Sequence, residues 1–210
     1  MAARSPSADA LRVGGLTALT TIDFPGELAA VVYCQGCPYR CPYCHNSHLI
    51  PARAHSLIPW RDVERFLRSR QGLLDAVVFS GGEPTLQSAL GAAMEAARSL
   101  GYKVGLHTAG PYPERLEGLF GLVDWVGLDI KALPEDYPLV TGVPGSGERA
   151  WSALDLLLRS GVPHEVRTTP MQGLDTPEYL SELRRRLAAV GVGGHRIQVR
   201  RDIPQGVSVA

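Results

Sequence analysis

The sequence has little that would place the protein in a membrane or send it out of the cell. No apolar run approaches the ~18 residues that a membrane-spanning helix needs. The first ten residues are small and polar and contain no apolar stretch of the kind that a signal peptide carries. These absences predict a cytoplasmic protein, in which thiols stay reduced and disulfides are rare.

A charge bias is missing as well. Lys and Arg together number 21, as do Asp and Glu, so the formal net charge is zero. Without a basic excess we expect no nucleic-acid partner. A length of 210 residues, 45% of them hydrophobic, is ordinary for one globular domain with a real core. We expect a disordered N-terminus over residues 1–10, followed by a single domain over residues 11–210.

The chain has few cysteines, and they lie close together in the sequence. All 4 cysteines lie between Cys34 and Cys44, and the spacing Cys37-x3-Cys41-x2-Cys44 places three thiols on one tight loop. Three thiolates suit a [4Fe-4S] cluster in which one iron has no protein ligand and can bind a small molecule. Cys34 follows the apolar run 28–33, which predicts a buried cysteine at a strand end rather than a fourth ligand.

Two other interpretations of these cysteines remain open at this point. A structural zinc ion takes four ligands, and Cys34-x2-Cys37 with Cys41-x2-Cys44 could supply them. Zinc ribbons, however, usually separate their cysteine pairs by far more residues than this chain does. A set of redox-active thiols is the remaining alternative.

The cysteine motif resembles the cluster motif of the radical S-adenosylmethionine (SAM) superfamily, with Tyr43 as the aromatic residue before the last cysteine. Gln35-Gly36 before the motif and His45-Asn46 after it are similar to the activating enzymes of glycyl-radical enzymes. Among these, the activators of anaerobic ribonucleoside-triphosphate reductase resemble the chain most. The resemblance implies a [4Fe-4S] cluster and S-adenosyl-L-methionine as cofactors. The cluster ligands that it implies are Cys37, Cys41 and Cys44.

The rest of the chain alternates between short apolar segments and amphipathic helical segments. About six strands, each followed by a helix except the last, predict a parallel sheet with right-handed crossovers. Six units are too few for a closed eight-fold barrel. We therefore predict an α/β fold, an open partial (β/α)6 barrel, which is also the core that the radical SAM resemblance implies. Residues 133–147 are the longest segment predicted to be irregular.

Polar residues follow most of the predicted strands, at the end where parallel α/β folds bind ligands. The second strand is followed by Gly81-Gly82-Glu83-Pro84, which resembles the motif that holds the amino group of the SAM methionine. Two glycines let a backbone approach a ligand closely, and the Glu83 carboxylate can accept hydrogen bonds from an ammonium group. The same four residues also occur in ordinary turns.

Asp129-Ile-Lys131, at the end of the fourth strand, resembles the Asp-x-Lys element of glycyl-radical activators. Alternate residues of a strand point the same way, so both side chains can face the site. We expect Asp129 and Lys131 to be catalytic and to bind SAM, with Lys131 paired to its carboxylate. The alternative is a surface ion pair. Tyr137 and Val140-Thr141-Gly142 also resemble the reductase activators, although a plain loop would explain them equally.

Three further residues are predicted to contact the cofactor. His107 and Thr108 follow the third strand, at a place where such activators often carry Asp-Thr. His107 could contact the ligand or be a packed strand-end histidine. Arg167, on the fifth strand, could bind the cofactor or form an ion pair in the core.

The resemblance implies an anaerobic oxidoreductase that cleaves SAM reductively and generates a glycyl radical on a partner enzyme. The implied partner is anaerobic ribonucleotide reductase, and the implied electron donor is a flavodoxin or ferredoxin. One alternative is a radical SAM enzyme that acts on a small molecule, such as a deazapurine synthase. If the protein is not an enzyme, the alternative is an interaction module stabilised by zinc.

Overall fold

The protein forms one open sheet of seven strands that lie side by side in chain order. The computed structural model describes residues 6–198. Strand β1 is antiparallel to β2, and every later neighbour pair is parallel. The parallel strands β2 to β7 confirm the predicted open partial barrel. The strands are β1 (Val13–Thr20), β2 (Ala29–Cys34), β3 (Ala76–Gly81), β4 (Lys103–Thr108), β5 (Trp125–Asp129), β6 (His164–Thr168) and β7 (His195–Ile197).

Helices cover one face of the sheet and build the larger core against it. Apolar strand residues that face the helices, such as Phe79, Leu106 and Leu128, are fully buried there. None of the helices within residues 6–198 is long and apolar enough to cross a membrane. The helices are α1 (Trp60–Arg68), α2 (Leu90–Ser99), α3 (Pro113–Glu117), α4 (Tyr137–Thr141), α5 (Ser146–Ser160) and α6 (Pro177–Ala189).

The opposite, inner face of the sheet is filled near the amino ends of the strands. Phe24, from the connection between β1 and β2, stacks on Trp125 with ring centroids 5.6 Å apart. Gly105 leaves room for this ring, since a Cβ there would lie 3.0 Å from the Phe24 side chain. Small residues of β2 and β3 complete this apolar floor. Because the floor is filled, the inner face is free to bind a ligand only toward the carboxyl ends of the strands.

Two predictions for irregular segments are wrong. Ala8–Ala10 form a 3-10 helix, and Ala8 packs against the core, so the predicted disorder does not extend to these residues. Residues 1–5 lie outside the described residues. The predicted loop 133–147 contains α4, which ends at Gly142 in a left-handed conformation with φ of 70°. The last strand was predicted over residues 196–199. In the structure it is β7, His195–Ile197, and Val199 lies outside the described residues.

Candidate cofactor site

An open cavity at the carboxyl ends of the parallel strands collects most of the residues predicted from the sequence. It also receives Tyr39, Ser80 and Ala109, which the sequence analysis did not single out. Glu83 and Pro84 are the predicted residues that do not line it. The predicted residues in its walls are Cys37, Cys41, Tyr43, Cys44, Gly81, Gly82, His107, Thr108, Asp129, Lys131 and Arg167.

The cysteine loop is held in place by its main chain. The Gly36 N–H donates to the carbonyl of Leu49 at 2.7 Å, and the Arg40 N–H donates to the carbonyl of Thr141 at 2.9 Å. The loop is therefore fixed on one side by the segment that follows it and on the other by the end of α4. Cys34 ends β2, is fully buried and does not line the cavity, as predicted.

Two buried glutamines clamp the base of this loop. The Gln35 amide donates to the carbonyls of His48 at 3.2 Å and Pro51 at 2.7 Å. The Gln87 amide donates to the carbonyl of Gln35 at 3.2 Å and to that of Arg12 at 2.9 Å. Gln87 was not predicted as part of the site, because nothing in the local sequence shows that it reaches a loop 52 residues away.

The packing of the protein itself requires the glycine pair, a reason that adds to the one given from the sequence. Gly81 has a φ of 107°, and a Cβ on it would lie 2.6 Å from the Cys34 nitrogen. A Cβ on Gly82 would overlap the carbonyl of Gly36. The Glu83 N–H donates to that same carbonyl at 2.8 Å. The glycines therefore let the β3 end pack directly on the cysteine loop, whether or not a ligand is bound.

The Glu83 carboxylate does not line the cavity, and its hydrogen-bond partners belong to the chain, so the contact with a ligand ammonium group stays a prediction. The side chain is 1% exposed and accepts hydrogen bonds from the N–H and hydroxyl of Thr85, the Thr108 hydroxyl and the Ala109 N–H, at 2.6–3.0 Å. Burial raises the pKa of Glu83. Glu83 thus ties the end of β3 to the end of β4, and Pro84 is buried in the turn beside it.

Three charged side chains lie together on the far wall. Arg167 Nε donates to Asp129 Oδ1 at 3.0 Å, and Lys131 Nζ lies 3.8 Å from Asp129 Oδ2. Burial alone would raise the pKa of Asp129, but Arg167 and Lys131 outweigh it and hold the pKa below its ordinary value. Burial opposes the charge of Lys131, but Asp129 together with Tyr43, Cys41 and Tyr137 outweighs it, so the pKa of Lys131 is raised. Two cations and one anion leave this wall positive.

These charges do not form the surface ion pair that was the alternative. The side chains of Lys131 and Arg167 are only 14% and 12% exposed. The Lys131 N–H donates to the hydroxyl of Tyr137 at 2.9 Å, and Tyr137 itself is fully buried in α4. The segment from Tyr137 to Gly142 is therefore a support for both Lys131 and the cysteine loop, and the plain-loop interpretation is wrong.

His107 combines the two roles considered for it from the sequence. Its Nε2 donates to the carbonyl of Asp23 at 2.7 Å, and its ring meets Trp125 edge-on with centroids 5.5 Å apart. It also lines the cavity. Burial and the nearby Arg167 lower the pKa of His107, which favours the neutral ring.

The residues present fit an iron–sulfur cluster. Cys37, Cys41 and Cys44 are free thiols in the wall of one cavity. Burial raises the pKa of Cys37 to about 12 and also raises that of Cys41, so these thiols need a bound metal to ionise at neutral pH. The buried hydroxyls of Tyr39 and Tyr43 lack a hydrogen-bond partner among the described residues. Thiols and unpaired donors together suit a cluster that supplies both iron and acceptor sulfur atoms.

The same three thiols fit a single metal ion less well. Within residues 6–198, no three His, Cys, Asp or Glu side chains are grouped closely enough to hold one ion. A cubane cluster holds its thiolates farther apart, because each thiolate binds a different iron.

The fold and the site together define a cofactor-binding α/β enzyme whose ligands meet at the open end of a partial barrel. The model of the radical SAM superfamily matches residues 31–187, and the chain belongs to that superfamily. Enzymes of this superfamily use a [4Fe-4S] cluster and SAM, which are the two cofactors expected from the sequence.

Relatives and solved structures agree with this assignment. A protein of Methanocaldococcus jannaschii whose name describes a glycyl-radical enzyme activating enzyme is 35% identical over 75% of this chain and 67% of its own length. A 7-carboxy-7-deazaguanine synthase of Thermococcus kodakarensis is 31% identical over 50% of each chain. Streptococcus suis SuiB bound to S-adenosylmethionine superimposes with a TM-score of 0.64 at 19% identity, over 83% of this chain and 41% of its own. This last likeness concerns the fold alone.

Proposed function

We propose that the protein is a radical SAM activase that generates a glycyl radical on a partner enzyme. The observation that carries the proposal is the pairing of two walls in one cavity: three free thiols and a partly buried, positively charged Asp129–Lys131–Arg167 group line it together. When bound, the cluster and SAM together supply one-electron cleavage of a sulfonium bond, which yields a carbon radical able to take a hydrogen atom.

The chain's own residues bind, orient and shield these groups. Cys37, Cys41 and Cys44 would hold the cluster through three of its irons, so that the fourth could take a ligand. Lys131 and Arg167 would bind the carboxylate of SAM, and Asp129 would orient both cations for that contact. The aromatic floor below them keeps water out of the inner end of the cavity.

Several features support a glycyl-radical enzyme, in particular anaerobic ribonucleotide reductase, as the partner. The flanks Gln35-Gly36 and His45-Asn46 resemble the reductase activators, and so does Asp129-Ile-Lys131. The similarity to the Methanocaldococcus jannaschii protein points the same way. His45 and Asn46 also line the open cavity, where a loop of a partner protein could approach. A flavodoxin or ferredoxin would supply the electron.

The decisive experiment combines the anaerobically reconstituted protein, SAM, a reductant and an anaerobic ribonucleotide reductase. We expect a doublet radical signal in electron paramagnetic resonance that disappears when the target glycine of the reductase is replaced by alanine. Cys41→Ala serves as the enzyme control and should give no signal. The proposal fails if 5′-deoxyadenosine forms but none of the glycyl-radical enzymes tested acquires a radical.

A small-molecule substrate is the second candidate, and the similarity to the Thermococcus kodakarensis synthase favours it. In that case the protein should convert the substrate of the synthase, detected by mass spectrometry, whether or not a protein partner is present. Consumption of that substrate without a protein radical would replace the activase proposal by this one.

A further inference from the structure

One buried hydroxyl of the cysteine loop has no role in the function proposed above. Tyr39 is 2% exposed, and its Oη has no hydrogen-bond partner among the described residues. Leaving a buried donor without an acceptor costs about 1–3 kcal/mol. Native proteins rarely leave such a group unpaired unless a ligand, ion or water completes it. The hydroxyl therefore points to an acceptor that the chain itself does not provide.

The position of Tyr39 narrows the choice of acceptor. Tyr39 lies two residues after Cys37, on the same loop. Both residues line the cavity together with the other two free thiols. Tyr39 therefore lies between two of the proposed cluster ligands, Cys37 and Cys41, in the wall of the cavity.

The charged side chains that act most strongly on the Tyr39 hydroxyl do not accept a hydrogen bond from it. Glu83, Arg149 and Lys131 all act on its hydroxyl electrostatically. Lys131 and Arg149 can only donate hydrogen bonds. The Glu83 oxygens accept from Thr85, Thr108 and Ala109, and neither is within hydrogen-bond distance of the Tyr39 hydroxyl. The acceptor is therefore a group bound in the cavity, and the sulfur atoms of a cluster held by Cys37 belong to the same loop as Tyr39.

We propose that the Tyr39 hydroxyl donates a hydrogen bond to a sulfur atom of the [4Fe-4S] cluster and raises its reduction potential. Reduction adds negative charge to the cluster, and that charge is shared by its sulfur atoms. A donor aimed at one of them stabilises the reduced form more than the oxidised form. Tyr39 is then a positioning and tuning residue, and the proposal depends on the cluster but not on which partner enzyme is activated.

The first test replaces the hydroxyl alone, with Tyr39→Phe. An equilibrium redox titration of the reconstituted cluster, followed by electron paramagnetic resonance, should give a more negative midpoint potential at unchanged iron content. Tyr33→Phe is the matched control, because the Tyr33 hydroxyl accepts a hydrogen bond from Thr17 at 3.3 Å and does not line the cavity. Its midpoint should equal that of the wild type.

The second test compares stability with and without the cluster. Without the cluster, Tyr39→Phe should unfold at the same or a higher denaturant concentration than the wild type, since the lost hydroxyl has no partner there. With the cluster it should unfold at a lower one, whereas Tyr33→Phe should change both forms by the same amount.

An unchanged midpoint potential in Tyr39→Phe would overturn the proposal. So would a loss of SAM affinity at unchanged potential, because it would assign the hydroxyl to SAM instead. Neither readout involves a glycyl radical. The activase proposal can therefore fail while the hydrogen bond from Tyr39 is confirmed, and the activase proposal can be confirmed while the hydrogen bond is not.

Discussion

The two walls of the cavity are built by different means. The cysteine wall, which comprises Cys37–Cys44 and Gly81-Gly82, is held by main-chain hydrogen bonds and by glycines packed against a neighbouring backbone. The charged wall, which comprises His107, Asp129, Lys131 and Arg167, is held by ion pairs and side-chain hydrogen bonds. Glu83 joins the two, since it accepts hydrogen bonds from both β3 and β4 ends.

This difference indicates how each wall should respond to mutation. A wall made of backbone contacts has no room for an added atom, so it should fail as a structure. A wall made of charged side chains can lose one group and keep its shape, so it should fail first in binding. Four substitutions test this contrast, beginning with the one expected to have the largest effect.

Gly82→Ala should be the most damaging change. Its Cβ would overlap the Gly36 carbonyl, and neither backbone can move without breaking the contacts of the cysteine loop. We expect a loss of about 3 kcal/mol in unfolding free energy, at the upper end of ordinary single substitutions. Iron binding after reconstitution should fall with it.

The matched control is Gly121→Ala, because a Cβ on Gly121 would meet no atom within 4 Å. It should leave both stability and iron content nearly unchanged. Equal behaviour of the two variants would show that the cysteine wall tolerates movement, and the contrast between the walls would then be wrong.

Lys131→Met should damage binding while sparing the fold. The methionine keeps most of the apolar stem but removes the cation that is expected to pair with the SAM carboxylate. Losing one charge-assisted contact should weaken SAM binding by about 1.5–3 kcal/mol, or roughly 10- to 150-fold in Kd. Isothermal titration of SAM into the cluster-loaded variant measures this effect.

The chain offers a close control in its other lysine. Lys103 is exposed at the start of β4, where it pairs with Glu27 at 2.5 Å, far from the cavity lining. Lys103→Met should leave SAM affinity unchanged. If Lys131→Met loses thermal stability but not affinity, Lys131 is a structural residue and the charged wall has been misassigned.

The sequence was informative where function depends on local spacing. Three cysteines within eight residues, and polar groups placed where apolar segments end, could be read without knowing any tertiary contact. The apolar run before Cys34 was enough to predict its burial, because a continuous apolar strand is buried on both faces. The same local logic predicted the alternation of strands and helices, apart from α4.

Other features depend on partners that are distant along the chain. The Glu83 carboxylate is oriented partly by Thr108, which lies 25 residues away along the chain. The inner face of the sheet is filled by the contact between Phe24 and Trp125. The crowding of the glycine pair by the cysteine loop could likewise not be predicted, because Cys34 and Gly36 are more than 40 residues away along the chain. No pattern within a window of sequence contains such information.

Glu83→Gln tests the joint between the two walls. The remaining oxygen can still accept from Thr85 and Thr108, which both donate to Oε1. The new amide nitrogen would then face the Ala109 N–H, which now donates to Oε2 at 2.9 Å. Two opposed donors should cost about 1–2 kcal/mol of unfolding free energy. Denaturant unfolding measures this loss, and the exposed Glu148→Gln is a control that should be neutral.

His107→Gln should have the smallest effect, and it should depend on pH. Because burial and Arg167 lower the pKa of His107, the unfolded chain takes up a proton at a higher pH than the folded protein does. Stability rises with pH wherever the unfolded state binds more protons. The wild type should therefore lose stability as pH falls through about 6.5, the ordinary histidine pKa, toward the lower folded value. The Asp129 and Asp23 charges oppose this effect and limit its size.

The glutamine variant lacks this titrating group, so its stability should fall less over the same range. Unfolding free energies of both proteins at several pH values between about 7.5 and 5 give the comparison. His48→Gln, at an exposed histidine, should follow the wild type. A constant difference between wild type and His107→Gln across this range would mean that His107 titrates alike in both states. In that case the ring contact with Trp125 and the bond to Asp23, rather than its protonation, would account for everything the residue contributes to the charged wall.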